Sequence, residues 1–337
     1  MYFDLLNFSC FRISGPESKK FLQSQLSNDI SLLERPNGKG PTELKSTQLT
    51  SYCNPKGRVI SLLKVCCKNS DDYFVIAPST LIEVTKKRFN MYKLRSNLII
   101  SNESEEYSIF ALFKDFKNQN IIAEFEESGV KTFLFLDSAE ADKSQKYLVI
   151  VEKKDLPFVT DIFEKKLDCH KKSESFWLTL EMKDGIPWFT SKLTESLLPQ
   201  QINLDLINAI SFKKGCYPGQ EVVARMHYLG KPKKRSFLLL GHISQSDLQK
   251  FQGEHPIAIR SKKQESEVGS LVAFTNLSES FETPCFFGIG EFDLSKMDIA
   301  GDGQYYIQLT KGELDLKLGT LPFQKQITED LKNRIQS

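Results

Sequence analysis

The chain has 337 residues, of which 40% are hydrophobic and 26% charged. These proportions are ordinary for a globular protein of two or three domains. Its 45 Lys and Arg residues nearly balance 43 Asp and Glu residues, and the net charge is +2. The chain as a whole is therefore not a polycation, and any affinity for nucleic acid requires a local basic patch.

Seven cysteines lie at irregular spacing, and none forms a C-x-x-C pair. This pattern makes a poor disulfide framework and argues against a structural zinc site or a thioredoxin-type redox pair. We therefore predict no stable metal. The N-terminus does not open with a basic segment followed by an apolar run, and no stretch reaches the roughly 18 apolar residues of a membrane span. We expect a cytoplasmic protein without a membrane partner.

The first 235 residues alternate strand and helix patterns. The predicted elements, in chain order, are a strand at 2–13, a helix opening at Ser14-Gly15-Pro16-Glu17, a loop at 33–44, strands at 47–53 and 58–67, a helix at 79–94, short strands over 98–150, and helices at 155–166, 173–183 and 219–228. The helix assignments rest on apolar residues recurring every three to four positions and on Gly and Pro at the ends.

The character of the sequence changes after about residue 236. Short apolar runs are separated by turns, at 237–240, 256–260, 268–275, 285–292 and 303–309, and a helical pattern returns at 327–336. Such spacing is typical of a small antiparallel barrel or sandwich. We predict two domains, an α+β region at 1–235 and a β-barrel at 236–337.

The stretch Lys214-Gly215-Cys216-Tyr217-Pro218-Gly219-Gln220-Glu221, followed by Arg225, is the most specific feature of the sequence. Its glycines allow a sharp turn, and the predicted helix begins within it, at Gly219. A cysteine close to a helix N-terminus and to lysines favours the thiolate, which could exchange disulfides or contact a soft metal. The alternative is a small buried thiol in a tight turn.

This motif resembles the signature of the YgfZ family, folate-binding proteins similar to the glycine cleavage T-protein. Further resemblances are Phe21-Leu22-Gln23-Ser24-Gln25-Leu26, Cys53-Asn54-Pro55-Lys56-Gly57-Arg58 and the segment from Trp177 to Pro187. They run in order from about residue 8 to 235. The resemblance implies an α+β, T-protein-like, multi-part and ring-like folate-binding body with a C-terminal antiparallel β-barrel.

The resemblance also implies site residues and partners. Phe8 and Trp177 would contact tetrahydrofolate or another reduced folate, and Cys216 would be a redox or cluster-contacting thiol, though packing in the core is the alternative role for both aromatics. The supporting motif residues are Lys214, Gly215, Tyr217, Gly219, Gln220, Glu221 and Arg225. The implied partners are iron–sulfur client or assembly proteins. A tRNA or an acidic partner would bind through Lys213, Lys214, Lys231, Lys233, Lys234 and Arg235, although such basic runs are often only solvated linkers.

The chain departs from the T-protein in two places: the first argues against aminomethyl transfer, and the second implies that pterin recognition differs in detail. The T-protein carries an acidic pair after the Asn-x-Lys-Gly turn, and Ser61 and Leu62 stand there in this chain. The T-protein glutamate that recognises the pterin edge is replaced by Lys183, which donates where a carboxylate accepts. Asp184 is a candidate substitute.

The leading hypothesis is therefore a folate-binding accessory protein for iron–sulfur enzymes, including those that modify tRNA. One rival is a folate-dependent aminomethyltransferase or demethylase, which turnover of a methylamine-type donor would reveal. The other is an RNA- or protein-binding scaffold without folate, which a salt-sensitive gel shift with tRNA would reveal.

Overall fold

A computed structural model describes residues 1–34, 45–114, 121–127, 129–130, 132–139, 145–243, 256–277, 285–297, 304–309 and 312–335. The chain divides into two compact units. The first unit comprises Met1–Tyr52, Ser61–Trp177 and Lys213–Pro218. The second unit comprises Cys53–Ile60, Leu178–Phe212 and Gly219–Ser337. Neither unit is one continuous stretch of sequence.

A ten-stranded mixed sheet dominates the first unit. Its strands are β1 (Tyr2–Asp4), β2 (Phe8–Ser14), β3 (Lys45–Cys53), β4 (Val59–Asn69), β5 (Asp72–Pro78), β6 (Ile99–Asn102), β7 (Tyr107–Lys114), β8 (Thr132–Ala139), β9 (Gln145–Glu152) and β10 (Lys171–Lys172). They follow the order β10-β1-β7-β9-β8-β3-β4-β5-β2-β6. Strands β1 and β10 pair in parallel, as do β3 and β8.

The described helices differ widely in length. They are α1 (Ser18–Gln25), α2 (Ser79–Lys93), α3 (Ile121–Glu127), α4 (Leu156–Asp161), α5 (Glu174–Lys183), α6 (Gln220–Tyr228) and α7 (Gln324–Ile335). Short 3-10 turns cover Ile30–Glu34, Lys153–Asp155, Ser191–Leu193 and Pro199–Ile202, and a π turn covers Ile162–Lys166.

An aromatic cluster on α2 holds the core of the first unit. Phe89 is fully buried, and its ring lies edge-on against Phe11, Phe21 and Tyr52 at centroid distances of 5.7, 5.5 and 4.7 Å. These rings come from β2, α1 and β3. Edge-to-face contacts of this kind add to the stabilisation from apolar burial. The cluster therefore fixes β2, at whose start Phe8 lies.

A closed six-stranded barrel forms much of the second unit. Its strands are β11 (Lys234–His242), β12 (Ile257–Ser261), β13 (Ser266–Leu277), β14 (Cys285–Asp293), β15 (Tyr305–Gln308) and β16 (Glu313–Leu318). They close in the order β11-β14-β13-β12-β15-β16, with antiparallel neighbours. Buried Phe237, Phe292 and Tyr305 pack edge to face inside it.

The elements differ from the sequence-based prediction in several places, and strands β5 and β10 were not predicted. The strand expected at 2–13 is two strands, and the first helix begins at Ser18 rather than at Pro16. Helix α3 interrupts the stretch predicted as short strands, and β16 was not predicted. Of the loop predicted at 33–44, residues 35–44 lie outside the described residues.

Two glycines of the motif blocks meet backbone to backbone in the second unit. Gly219 precedes α6 with φ +80°, and a Cβ atom built there would lie 2.4 Å from the carbonyl oxygen of Asn54 and 2.6 Å from the Cα of Gly57. Gly57 itself has φ +73°. A side chain at Gly219 would be strained by its backbone conformation and would collide with the turn at 54–57. The turn and the start of α6 therefore depend on each other.

We expect Gly219→Ala to lower the free energy of unfolding by at least about 2 kcal/mol, because it adds backbone strain and a steric clash. Gly215→Ala is the matched control, since nothing lies within 4 Å of a Cβ at that position. Urea denaturation of both variants measures the difference. Equal stabilities would contradict the proposed contact.

Candidate functional site

The structure brings Phe8 and Trp177 together in the first unit. Their ring centroids are 5.0 Å apart and their planes are perpendicular. Phe8 is 7% exposed and Trp177 is 4% exposed. The geometry is that of an edge-to-face aromatic pair. It satisfies the packing role of both rings, so the folate-contacting role stays a prediction.

A carboxylate fastens the start of α5 to the residue before Phe8. Glu174 accepts a hydrogen bond from the backbone N–H of Asn7 at 3.0 Å and another from its side-chain amide at 2.8 Å. Burial raises the pKa of Glu174, and the hydrogen bonds from Asn7 oppose that rise. This double contact fixes the position of α5, and hence of Trp177, relative to β2.

A buried ion pair lies beside Trp177. The Nζ atom of Lys64 is 5.7 Å from the centroid of the indole ring and pairs with the carboxylate of Asp137. Thr47 donates a hydrogen bond to Asp137 at 2.7 Å. Our sequence analysis missed Lys64 and Asp137. The available signal was a lone lysine within the apolar run of β4, Val59-Ile60-Ser61-Leu62-Leu63-Lys64-Val65.

Cys216 is exposed, whereas five other cysteines are buried: Cys10, Cys53, Cys66, Cys67 and Cys169. Burial raises the pKa of Cys10 to about 12 and raises the pKa of Cys66 as well. These two thiols are therefore poor nucleophiles near neutral pH. The described residues contain no group of three or more His, Cys, Asp or Glu side chains suited to hold a metal ion.

Lys214 anchors the loop that carries Cys216. Its ammonium group donates hydrogen bonds to the carbonyl oxygens of Gln23, Leu26 and Asn28 at 2.7, 2.6 and 2.9 Å. Gln23 lies in the last turn of α1, and Leu26 directly follows that helix. The cation thus satisfies carbonyls at the negative end of a helix. The Nζ atom of Lys214 also lies 5.4 Å from the ring centroid of Tyr217, which is buried in the same loop.

The remaining motif residues lie on or near α6. Gln220 and Glu221 lie in its first turn. The negative charge of Glu221 is favourable there, because the N-terminus of a helix carries a partial positive charge. Arg225 lines an open cavity of about 390 Å³ on this helix, together with Glu221, Val222, Met226, Leu229 and Gly230. Nearby Tyr228 and Leu229 are 65% and 84% exposed. This face of the second unit therefore exposes apolar side chains next to Arg225 and Glu221.

The basic residues proposed for a partner have different environments. Lys214 and Arg235 are buried, and Arg235 forms an ion pair with Asp205 at 2.7 Å. Lys234 pairs with Glu291. Lys213, Lys231 and Lys233 are exposed. Of the six cations predicted to bind a partner, these three are therefore the exposed ones.

The structure also gives the surroundings of the residues that distinguish this chain from the T-protein. Ser61 and Leu62 are 0% and 1% exposed, and the Ser61 hydroxyl donates to the backbone carbonyl of Leu62 at 3.2 Å. The Nζ atom of Lys183 lies 5.5 Å from the ring centroid of Phe287 in the barrel. Neither Ser61 nor Leu62 carries an ionisable group, so this part of β4 supplies no carboxylate.

Comparison with known proteins finds a curated relative of this chain. No family model matches the chain. The tRNA-modifying protein YgfZ from Colwellia psychrerythraea is 28% identical over 280 residues, which cover 80% of this chain and 79% of that protein. The predicted resemblance to the YgfZ family is confirmed.

The YgfZ-like chain also has the expected fold. The crystal structure of the glycine cleavage system aminomethyltransferase T from Bartonella henselae matches with a TM-score of 0.68 at 11% identity, over 96% of this chain and 85% of that one. At this identity the match shows the fold alone. The predicted α+β, T-protein-like fold with a C-terminal antiparallel barrel is thus confirmed. Among the described helices, none has the length and apolarity to cross a bilayer.

We expect the contribution of Lys214 to the free energy of unfolding to increase as the pH rises. Burial lowers the pKa of Lys214 from 10.5 to about 8, although the charge of Asp29 opposes the shift. Between these values the unfolded chain binds more protons than the folded one, so the free energy of unfolding increases by up to about 3 kcal/mol as the pH rises from 8 to 10.5. Below pH 8 this increment is absent.

Urea denaturation of the wild type and of Lys214→Met across this pH range measures the effect. The difference in stability between the two proteins should widen as the pH rises, because the variant lacks the titrating group. A constant difference would show that Lys214 titrates alike in the folded and unfolded chains.

Proposed function

We propose that this YgfZ-like chain binds a reduced folate and supports iron–sulfur enzymes, including tRNA-modifying ones, without aminomethyl transfer. The observation that carries the proposal is the contact between Phe8 and Trp177 in a chain that is similar to YgfZ and has a T-protein-like fold. Two aromatics that the family resemblance assigns to folate come from distant parts of the sequence and meet in one unit.

The residues around this pair suit a folate chemically. A pterin is a flat heteroaromatic ring with hydrogen-bonding edges, and it needs aromatic faces together with buried polar groups. Phe8 and Trp177 supply the rings, and the buried Lys64–Asp137 pair supplies a donor and an acceptor next to them. A bound reduced folate would supply a carrier for one-carbon units.

The residues of β4 argue against aminomethyl transfer. Activating a folate nitrogen for that reaction requires a positioned acid or base. Ser61 and Leu62 are buried at the positions where the resemblance places an acidic pair. A folate held here would therefore act as a bound ligand or effector of the accessory role, and we do not assign the chain an aminomethyltransferase reaction.

Cys216 is the residue we propose for the redox or cluster-contacting role. Its side chain is exposed, unlike those of five other cysteines, and its loop is held by the three hydrogen bonds of Lys214. A thiol must be accessible to exchange with a partner thiol or to reach a cluster on another protein. The fixed loop presents this thiol in a defined place.

Anaerobic titration with tetrahydrofolate, followed by tryptophan fluorescence and calorimetry, tests the folate proposal. We expect saturable binding by the wild type and at least tenfold weaker binding by Trp177→Ala, because the variant loses an aromatic face worth about 1.4 kcal/mol or more. Trp188→Phe is the matched control, since Trp188 is a buried tryptophan of the second unit that donates to Glu181. Failure of the wild type to bind tetrahydrofolate would refute the proposal.

Replacing Cys216 tests the thiol role in cells. Cys216→Ser should keep the unfolding free energy of the wild type, since the side chain is exposed, yet should fail to restore iron–sulfur enzyme activities in a host that lacks its own copy of such a protein. Cys169→Ser, a change at a buried cysteine, controls for a general loss of thiols. Full restoration by Cys216→Ser would refute a role for this thiol.

A further inference from the structure

Three neighbouring strands place polar side chains together in the interior of the first unit. Thr47 lies on β3, Lys64 on β4 and Asp137 on β8. The Lys64 side chain is 4% exposed and that of Asp137 is 9% exposed, and the two form an ion pair. Thr47 donates to the same carboxylate at 2.7 Å. A charged pair is therefore held almost entirely out of water by three elements.

The stability of the fold does not explain such a pair. Removing two charges from water costs several kcal/mol per ion, and apolar residues of similar volume are often as stabilising as a buried ion pair. Buried charges retained in this way are frequently found at functional sites. Here the ammonium also lies over the indole of Trp177, at 5.7 Å from its centroid.

The chemistry of this pair matches one edge of a pterin. That edge presents a carbonyl oxygen, an N–H and an amino group in a row, that is, one acceptor followed by two donors. An ammonium group has three donors, and a carboxylate has about four acceptor positions. Lys64 and Asp137 can therefore remain paired while the ammonium donates to the carbonyl and the carboxylate accepts from the two nitrogens.

The position where the resemblance expects a pterin-recognising carboxylate does not carry one. Lys183 occupies the position where the T-protein resemblance expects the pterin-recognising glutamate, and a lysine offers no acceptor. Its ammonium lies near Phe287 of the barrel. Asp184, the residue after Lys183, is one candidate for the carboxylate that reads the donor edge of a pterin, and Asp137 of the first unit is another.

We infer that Asp137 and Lys64 are the pterin-recognising residues of the folate site, with Asp137 accepting from the N–H and amino group and Lys64 donating to the carbonyl. The inference rests on the proposed folate binding. It assigns to the first unit, next to Trp177, the recognition that the replaced glutamate would otherwise provide.

The chain offers a matched control on the same strand. Lys68 also lies on β4, pairs with Asp72 at 2.8 Å and lies 4.9 Å from the ring centroid of Phe133. Asp72 is additionally held by two hydrogen bonds from Arg12. Lys68→Met thus removes a lysine of the same kind, in a comparable ion pair, away from Trp177.

The experiment compares tetrahydrofolate with its 2-desamino-2-methyl analogue, which lacks one donor of the pterin edge. Dissociation constants are measured anaerobically by calorimetry for the wild type, Asp137→Asn, the double variant Lys64→Met/Asp137→Leu, and Lys68→Met. We expect the wild type and Lys68→Met to prefer tetrahydrofolate at least tenfold. The preference should fall to about twofold or less in Asp137→Asn and in the double variant.

The ratio of the two affinities separates recognition from folding, because a merely structural defect weakens both ligands alike. The double variant removes both charges together, so it leaves no unpaired buried ion if the single variant folds poorly. If the wild type binds tetrahydrofolate through Trp177 but both variants keep the wild-type ratio, the inference is wrong and the proposed function stands. If the wild type binds no tetrahydrofolate, both are wrong.

Discussion

The Lys214 ammonium lies among the carbonyls of Gln23, Leu26 and Asn28 and donates a hydrogen bond to each. These bonds hold the loop that carries Cys216 in the first unit. A helix end leaves carbonyls that need donors, and a loop distant in sequence supplies them. Asp29, whose carboxylate accepts from Ser31 and Gln23, reinforces the same region. Through this contact the segment Lys213–Pro218 belongs to the first unit, although the chain on both sides of it belongs to the second.

The sequence was most informative where local chemistry dictates structure. The barrel was predicted from its short apolar runs, and the helix after Gly219 from its glycine and acidic first turn. Strand β16 was missed because every apolar residue in Glu313–Leu318 is flanked by a charged one, and β15 before it is short. Helix α3 is a single short element between long strands, where tertiary packing outweighs intrinsic preference.

The candidate site was predictable only in part. Phe8, Trp177 and Cys216 stand out through the family resemblance, but the roles of Lys214 and Lys64 depend on partners far away in the sequence. Lys64 meets Asp137 because β3 lies between β4 and β8 in the sheet, a pairing between distant segments that hydrophobic periodicity does not reveal. Lys214 was predicted to belong to a basic patch, and instead its charge is buried against backbone carbonyls.

The contact between Gly57 and Gly219 has a consequence for how such sequences can change. Gly219 cannot acquire a Cβ atom unless the backbone of the Asn54–Gly57 turn withdraws, and a Cβ atom at Gly57 would press on the side chain of Val222 in α6. A substitution in one block is therefore tolerated or rejected according to what stands in the other. Anyone transplanting the cysteine-bearing block into a different scaffold would have to carry the Asn54–Gly57 turn along with it.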